Sequence, residues 1–186
     1  MSVSMQKSYV VAIVIIILLI AISGVVFYAY TSPTGFFARQ NTDFHTAIQE
    51  TTATYTDLNG IPVNLEQFEG TTLVVNMWAS WSPFSQSDFQ VLSKLKETYG
   101  DSIHIVGMNR MESKEIARAY LDYIGTPVGI QFVLDETDYF FKNFDGYAMP
   151  ETVVFNTIGN STYHMRGSLN YEEISAHIQS LTQVQE

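Results

Sequence analysis

No cysteine occurs among the 186 residues of this chain. Disulfides, thiolate nucleophiles, cysteine-ligated zinc and iron–sulfur clusters are excluded at once. Positive charge is scarce too: 9 Lys and Arg stand against 19 Asp and Glu, and nowhere do the bases gather in a run. Binding a phosphate backbone needs clustered Lys and Arg, so nucleic acid is excluded as a partner. A third lack is regional. No acid precedes Asp43, and Lys7 is the only base before Arg39, so from Arg39 onward eight bases face all 19 acids, a net charge of −11. The length accommodates one ordinary domain with a sizeable core plus a short appendage.

The uncharged N-terminal region holds a long apolar run, Tyr9 to Tyr30, reading YVVAIVIIILLIAISGVVFYAY, with Ser23 and Gly24 its main interruptions. As a helix it spans roughly 33 Å, the thickness of a bilayer's hydrocarbon core. It lacks the polar face of a buried core helix. A cleavable signal peptide has a shorter apolar region and a small-residue pair before the cut, and Val26 to Tyr30 supplies that pair poorly. The run therefore predicts an uncleaved transmembrane anchor over 9–30. Lys7 flanks its short side, which places residues 1–8 in the cytoplasm and the acidic remainder outside.

Thr31-Ser32-Pro33-Thr34-Gly35 is a breaker-rich exit, and FFARQNTDFHTAIQE (36–50) fits a short amphipathic helix with Phe37, Phe44 and Ile48 on one side, so 31–52 reads as a linker. From 53 to 186 strand and helix patterns alternate. ATYTD (53–57), the turn Leu58-Asn59-Gly60 and IPVNL (61–65) predict a hairpin. TTLVVNMWA (71–79) is a continuous apolar run of strand length, as in a strand covered on both faces. Helical spacing follows over 83–99, then a strand over 102–109. A helix over 113–124, carrying Ile116, Ala117, Tyr120, Leu121 and Ile124, stops at Gly125. A strand over 130–135, a short helix over 137–144, a hairpin of 151–156 and 161–167, and a helix over 170–182 complete the order β-β-β-α-β-α-β-α-β-β-α. That order calls for a mixed sheet with helices on both faces, an α/β fold.

Three stretches together resemble the TlpA/ResA-type, membrane-anchored branch of the thioredoxin-like superfamily. They are Asp57-Leu58-Asn59-Gly60 with Leu65-Glu66-Gln67-Phe68-Glu69-Gly70; Leu73 to Ser85 (LVVNMWASWSPFS); and Ala148-Met149-Pro150-Glu151-Thr152-Val153-Val154-Phe155-Asn156. The resemblance covers roughly residues 53–182 and implies a thioredoxin-like fold preceded by one transmembrane helix. It implies an active-site helix beginning after Trp81 and a cis proline at Pro150. The departure is central: where the family has Cys-x-x-Cys after the tryptophan, this chain has Ser82-Pro83-Phe84-Ser85.

Dithiol–disulfide exchange needs one thiolate to attack and a second thiol to resolve the mixed disulfide. A serine hydroxyl is far less acidic and forms no comparable bond with sulfur, so Ser82 and Ser85 predict a redox-inert site with no catalytic residue. Serine is a preferred N-cap and proline is favoured at the first helical position, so Ser82-Pro83 still fits a helix start. A hydrolase nucleophile at Ser82 or Ser85 needs a histidine and an orienting acid; His45, His104, His164 and His177 are scattered, and no Gly-x-Ser-x-Gly elbow exists. Asp88 falls where many family members carry an acid near the thiols, a proton-handling group by resemblance. With no thiol to serve, it reads instead as a charge in the first turns of a helix. Trp78 reads as packing and Trp81 as a surface residue on the partner-binding rim of the resembling fold.

In that fold the residue before the cis proline offers backbone hydrogen bonds to an extended peptide, a recognition mode independent of sulfur. Trp81, Phe84, Met149 and Pro150 thus form a candidate groove for an extended polypeptide or protein partner in the cell envelope. The other possibility for Pro150 is that it only preserves loop geometry. Asp135, Glu136 and Asp138 lack a calcium-loop pattern and read as a solvated turn; no metal site and no cofactor are expected. Two readings stay open. One is a membrane-anchored, extracytoplasmic, redox-inactive binding module in envelope thiol-redox or cytochrome maturation. The other is a thiol–disulfide oxidoreductase whose cysteines are replaced by serine in this version of the chain.

Overall fold

A computed structural model describes residues 55–182, all within the second of the two units, 1–40 and 41–186, into which the chain divides. The expected anchor over 9–30 and the amphipathic segment over 36–50 lie outside the described residues. Among those described, no helix is long and apolar enough to cross a membrane.

In chain order the elements are β1 (Tyr55–Asp57), β2 (Pro62–Val63), β3 (Thr72–Trp78), α1 (Ser85–Tyr99), β4 (Ile103–Arg110), α2 (Lys114–Ile124), β5 (Gln131–Asp135), α3 (Tyr139–Asn143), β6 (Glu151–Phe155), β7 (Ser161–Arg166) and α4 (Tyr171–Thr182). This is the order expected from the sequence. The seven strands form one sheet, β2-β1-β5-β4-β3-β6-β7. β3, β4 and β5 are parallel, while β6, β7, β1 and β2 join antiparallel, so the sheet is mixed.

β3 shows why a continuous apolar run becomes a central strand. Its alternate residues Leu73, Val75 and Met77 enter one core with Phe140, Phe144, Val153 and Phe155. Val74 and Trp78 enter the opposite core with Phe89, Leu92, Leu95, Ile174 and Ile178. With both faces covered, every residue of β3 is buried, including Asn76, which period-two alternation places on the α1 side. Ser113 caps α2 by accepting from the Ile116 N–H, and Gly125, at φ +77, ends it in the left-handed region that glycine adopts without a Cβ penalty.

Three expectations change. The helix after Trp81 begins at Ser85 rather than at Pro83, with Phe84 in the cap position and no side-chain cap; Ser82 is not the N-cap because its hydroxyl is turned across to Met149. Ile116 does not face inward but is half exposed, since α2 buries Ala117 and Leu121 instead. The acidic turn is not solvated at Asp135 or Asp138, which are both buried. Asp135 accepts from the Tyr139 and Phe140 N–H groups at the start of α3, and Asp138 takes a two-pronged contact from Arg110 at 2.6 and 3.0 Å.

Candidate functional site

The parallel strands β3, β4 and β5 end together, and three loops meet beyond their C-terminal ends: 79–84 after β3, 111–113 after β4, and 145–150 before β6. Ligands of open α/β sheets collect at such strand ends because the loops, not the ladder, carry free side chains there. Each loop is pinned. Glu112 accepts from the Ser80 N–H at 2.8 Å, from the Ser80 hydroxyl, and from Asn109 Nδ2 at 2.7 Å. Met111, at φ +57, takes the left-handed conformation, while its N–H donates to the Asp135 carbonyl at 3.1 Å. Glu151, wholly buried, accepts from the Tyr147 and Ala148 N–H groups and shares a 2.7 Å hydrogen bond with His164 Nε2.

The Met149-Pro150 bond is cis. Ser82 Oγ donates to the Met149 carbonyl at 3.3 Å, and Ser85 Oγ donates to the Ala79 carbonyl at 2.9 Å. Both serines are buried. Their protons are thus committed to backbone acceptors, and among the described residues no histidine bonds either hydroxyl. His164 reaches Glu151, His104 lies at the far end of β4, and His177 stacks on Tyr163. A charge relay needs such a base beside the serine hydroxyl, and none of these three described histidines supplies it.

Asp88 lies in the first turn of α1, as expected, and is buried there. Its Oδ1 accepts from the Leu169 N–H at 3.0 Å and its Oδ2 from Asn76 Nδ2 at 3.3 Å; Asn76 Nδ2 also reaches Thr152 Oγ1 at 3.0 Å. Burial pushes the Asp88 carboxyl up to about 6, against the lowering effect of those two hydrogen bonds. Asn76 Oδ1 is buried without a hydrogen-bond partner among the described residues.

Of the sequence-expected groove residues, Trp81 and Phe84 are exposed, Met149 is half-buried and packs on the core, and Pro150 is buried. The structure therefore brings the four to one place but gives contact surface only to the first three. Trp78, as expected, is core, stacked on Tyr120 and edge-to-face with Phe89 and Phe132. Sequence reasoning missed Met111 and Tyr147, both exposed beside the site, and the two pinning acids Glu112 and Glu151. Glu151's place directly after Pro150 was the available signal. Nothing local announced that its carboxyl turns inward. Among the described residues no group of three or more His, Asp or Glu could hold a metal ion.

A mixed sheet of this order, a helix entering after Trp81 and a cis proline facing that helix define a thioredoxin-like protein. The chain matches the Redoxin family over residues 44–177, and it belongs to that family. The thiol:disulfide interchange protein DsbE of Escherichia coli K12 is 28% identical over 102 residues, which cover 55% of this chain and 53% of that protein. DsbE of Haemophilus influenzae is 29% identical over 103 residues, 55% of this chain and 54% of its own length. The chain thus spans about half the length of the curated relatives it matches. A secreted Mycobacterium tuberculosis disulfide oxidoreductase homologous to DsbE superposes with a TM-score of 0.59 at 18% identity, covering 69% of this chain and 95% of that one. The exposed lipoprotein thioredoxin of Streptococcus pneumoniae gives 0.60 at 14% identity, covering 69% and 98%. At such identities the two structures speak for the fold.

Proposed function

We propose that this protein is a redox-inactive, polypeptide-binding member of its family, of the TlpA/ResA type, with serines in both positions of the cysteine pair. The observation that carries the reading is the pairing of two buried serine hydroxyls, each spent on a backbone carbonyl, with an exposed rim of Trp81, Phe84, Met111 and Tyr147 around them. The centre offers no nucleophile and the periphery offers contact area. An extended polypeptide lying beside Met149 would use backbone hydrogen bonds and the apolar rim. A role among envelope thiol-redox or cytochrome-maturation proteins follows from the resemblance. Residues 1–8 would be cytoplasmic, 9–30 the membrane anchor, 31–52 a linker and 53–186 an extracytoplasmic domain, the sidedness following from Lys7 on the short flank of the apolar run.

The test is binding of a labelled, reduced and alkylated unfolded protein by the full chain in detergent. Trp81→Ala and Met149→Ala should each weaken it about tenfold, the loss expected of an interface anchor. Binding that is absent, or indifferent to both substitutions, overturns the reading. A second reading is a thiol–disulfide oxidoreductase whose cysteines are serines in this version. The names of the curated relatives favour it, and cysteine codons at positions 82 and 85 of the parent gene would establish it.

A further inference from the structure

All sulfur in this chain is thioether, carried by seven methionines. Five of them, Met77, Met108, Met111, Met149 and Met165, are among the described residues. Met77 and Met108 are each 1% exposed. Met149 and Met165 are half-buried and pack against the two cores. Met111 differs from all four: it is 60% exposed and packs in neither core. The fold holds it outward. Its backbone sits at φ +57, a conformation that glycine or asparagine usually supplies, and its N–H is bonded to the Asp135 carbonyl. Arg110 on one side is tied to Asp138 at 2.6 Å and lies over the Phe141 ring. Glu112 on the other side holds the Ser80 N–H at 2.8 Å and Asn109 Nδ2 at 2.7 Å. With the backbone and both neighbours fixed, the Met111 side chain stays on the surface, and the bond between Glu112 and Ser80 brings it to the loop that carries Trp81.

A thioether is a two-electron reductant, and the exposure of its sulfur governs how fast it reacts. We propose that Met111 is an oxidant-modified site, taken to its sulfoxide by peroxide-class oxidants, and that this modification lowers the affinity of the rim for polypeptide. In the step the peroxide O–O bond breaks and an S–O bond forms at Met111 Sδ. Sulfur gives up two electrons, and the peroxide is reduced to water or an alcohol. Return to the thioether takes two electrons and two protons, which a thiol-dependent sulfoxide reductase supplies with release of water. The sulfoxide is polar and sets a hydrogen-bond acceptor where the rim offers apolar contact, the change by which oxidation disrupts methionine-bearing interfaces. The consequence for binding rests on the rim being a polypeptide-binding surface; the site of oxidation does not. Neither alters the lack of dithiol exchange at Ser82 and Ser85.

The absence of cysteine leaves no thiol to compete for the oxidant. The full chain in detergent is treated with limiting hydrogen peroxide and mapped by peptide mass. Among the five described methionines Met111 should gain oxygen first, at least about tenfold ahead of Met77 and Met108, which react only when the core opens. Equal rates, or a lead taken by Met149 or Met165, overturn the proposal. Affinity for the labelled, reduced and alkylated unfolded protein should fall about tenfold on oxidation and return after treatment with methionine sulfoxide reductase. In Met111→Leu the affinities before and after peroxide should be equal, whatever the starting value. A fall of the same size in Met111→Leu, or none in the unaltered chain, overturns the proposal as well. If the unaltered chain binds no unfolded protein before oxidation, the reading of the rim as a partner site fails and takes the binding effect with it, while the order of oxidation still decides the modified site on its own.

Discussion

Ser82 Oγ lies 3.3 Å from the carbonyl oxygen of Met149, the residue on the amino side of the cis proline. That contact joins the start of the helix to the loop it faces, without any group able to carry electrons. The unaltered chain should show no exchange with reduced and oxidised glutathione. Ser82→Cys with Ser85→Cys should form an internal disulfide and exchange, because the two positions are three apart where α1 begins and a helix N-terminus favours the thiolate. Thiol titration before and after reductant reads the outcome. A double variant that remains a dithiol in oxidised glutathione would show that the site does not hold the two positions at bridging distance.

Asp88 sets a pH dependence of definite sign. Its folded value, about 6, lies above the ordinary aspartate value of 3.8, so between those values the folded state binds more protons than the unfolded one. Stability contributed by this group is complete below pH 4, falls as pH rises towards 6 and is level above. The whole difference is on the order of 2–3 kcal/mol. Asp88→Asn, which keeps an acceptor for the Leu169 N–H, should therefore stabilise the domain at pH 7.5 and leave it unchanged at pH 4, by urea unfolding. The same stability difference at both pH values would remove the titration argument.

Glu151 is the support of the loop before Pro150. Glu151→Ala removes the acceptor for the Tyr147 and Ala148 N–H groups and the partner of His164, and should cost roughly 2–4 kcal/mol. Glu151→Gln retains an acceptor oxygen and should recover most of the loss. Limited proteolysis should find the alanine variant cut within 145–149, where wild type resists. Gly146 in this loop packs so closely on the Phe141 ring that a Cβ would collide with it.

The two tryptophans should separate stability from binding. Trp78→Ala empties a fully buried site and should cost roughly 3–5 kcal/mol. Trp81→Ala should change stability by less than about 0.5 kcal/mol, as surface substitutions do, while weakening capture of an unfolded polypeptide. Denaturation midpoints and binding isotherms on the same two variants decide this; a Trp81 variant that unfolds early would mean the side chain packs rather than projects.

Much of the fold was legible along the chain because each signal was local. The uninterrupted LVVNMW stretch could only be a strand covered on both faces, and Ser113 and Gly125 bracket α2 by capping chemistry that needs no tertiary partner. The lack of cysteine at positions 82 and 85 was legible as well, since it is a matter of residue type alone. Asp135, Asp138 and Glu151 were not. A carboxyl's burial depends on which backbone N–H groups or guanidinium the fold brings to it, and Asp138 meets Arg110 from 28 residues away.

By itself, then, the sequence determined the order of elements, the thiol-free centre and the acidic balance from Arg39 onward, all properties of residue identity and short-range pattern. Only the tertiary structure decided that Ser82 turns to Met149 instead of capping α1, that Asp88 faces Asn76 and Leu169, and that Met111 and Tyr147 join Trp81 on one rim. Those outcomes depend on three loops converging at the ends of parallel strands, and convergence of distant segments leaves no mark on the local sequence.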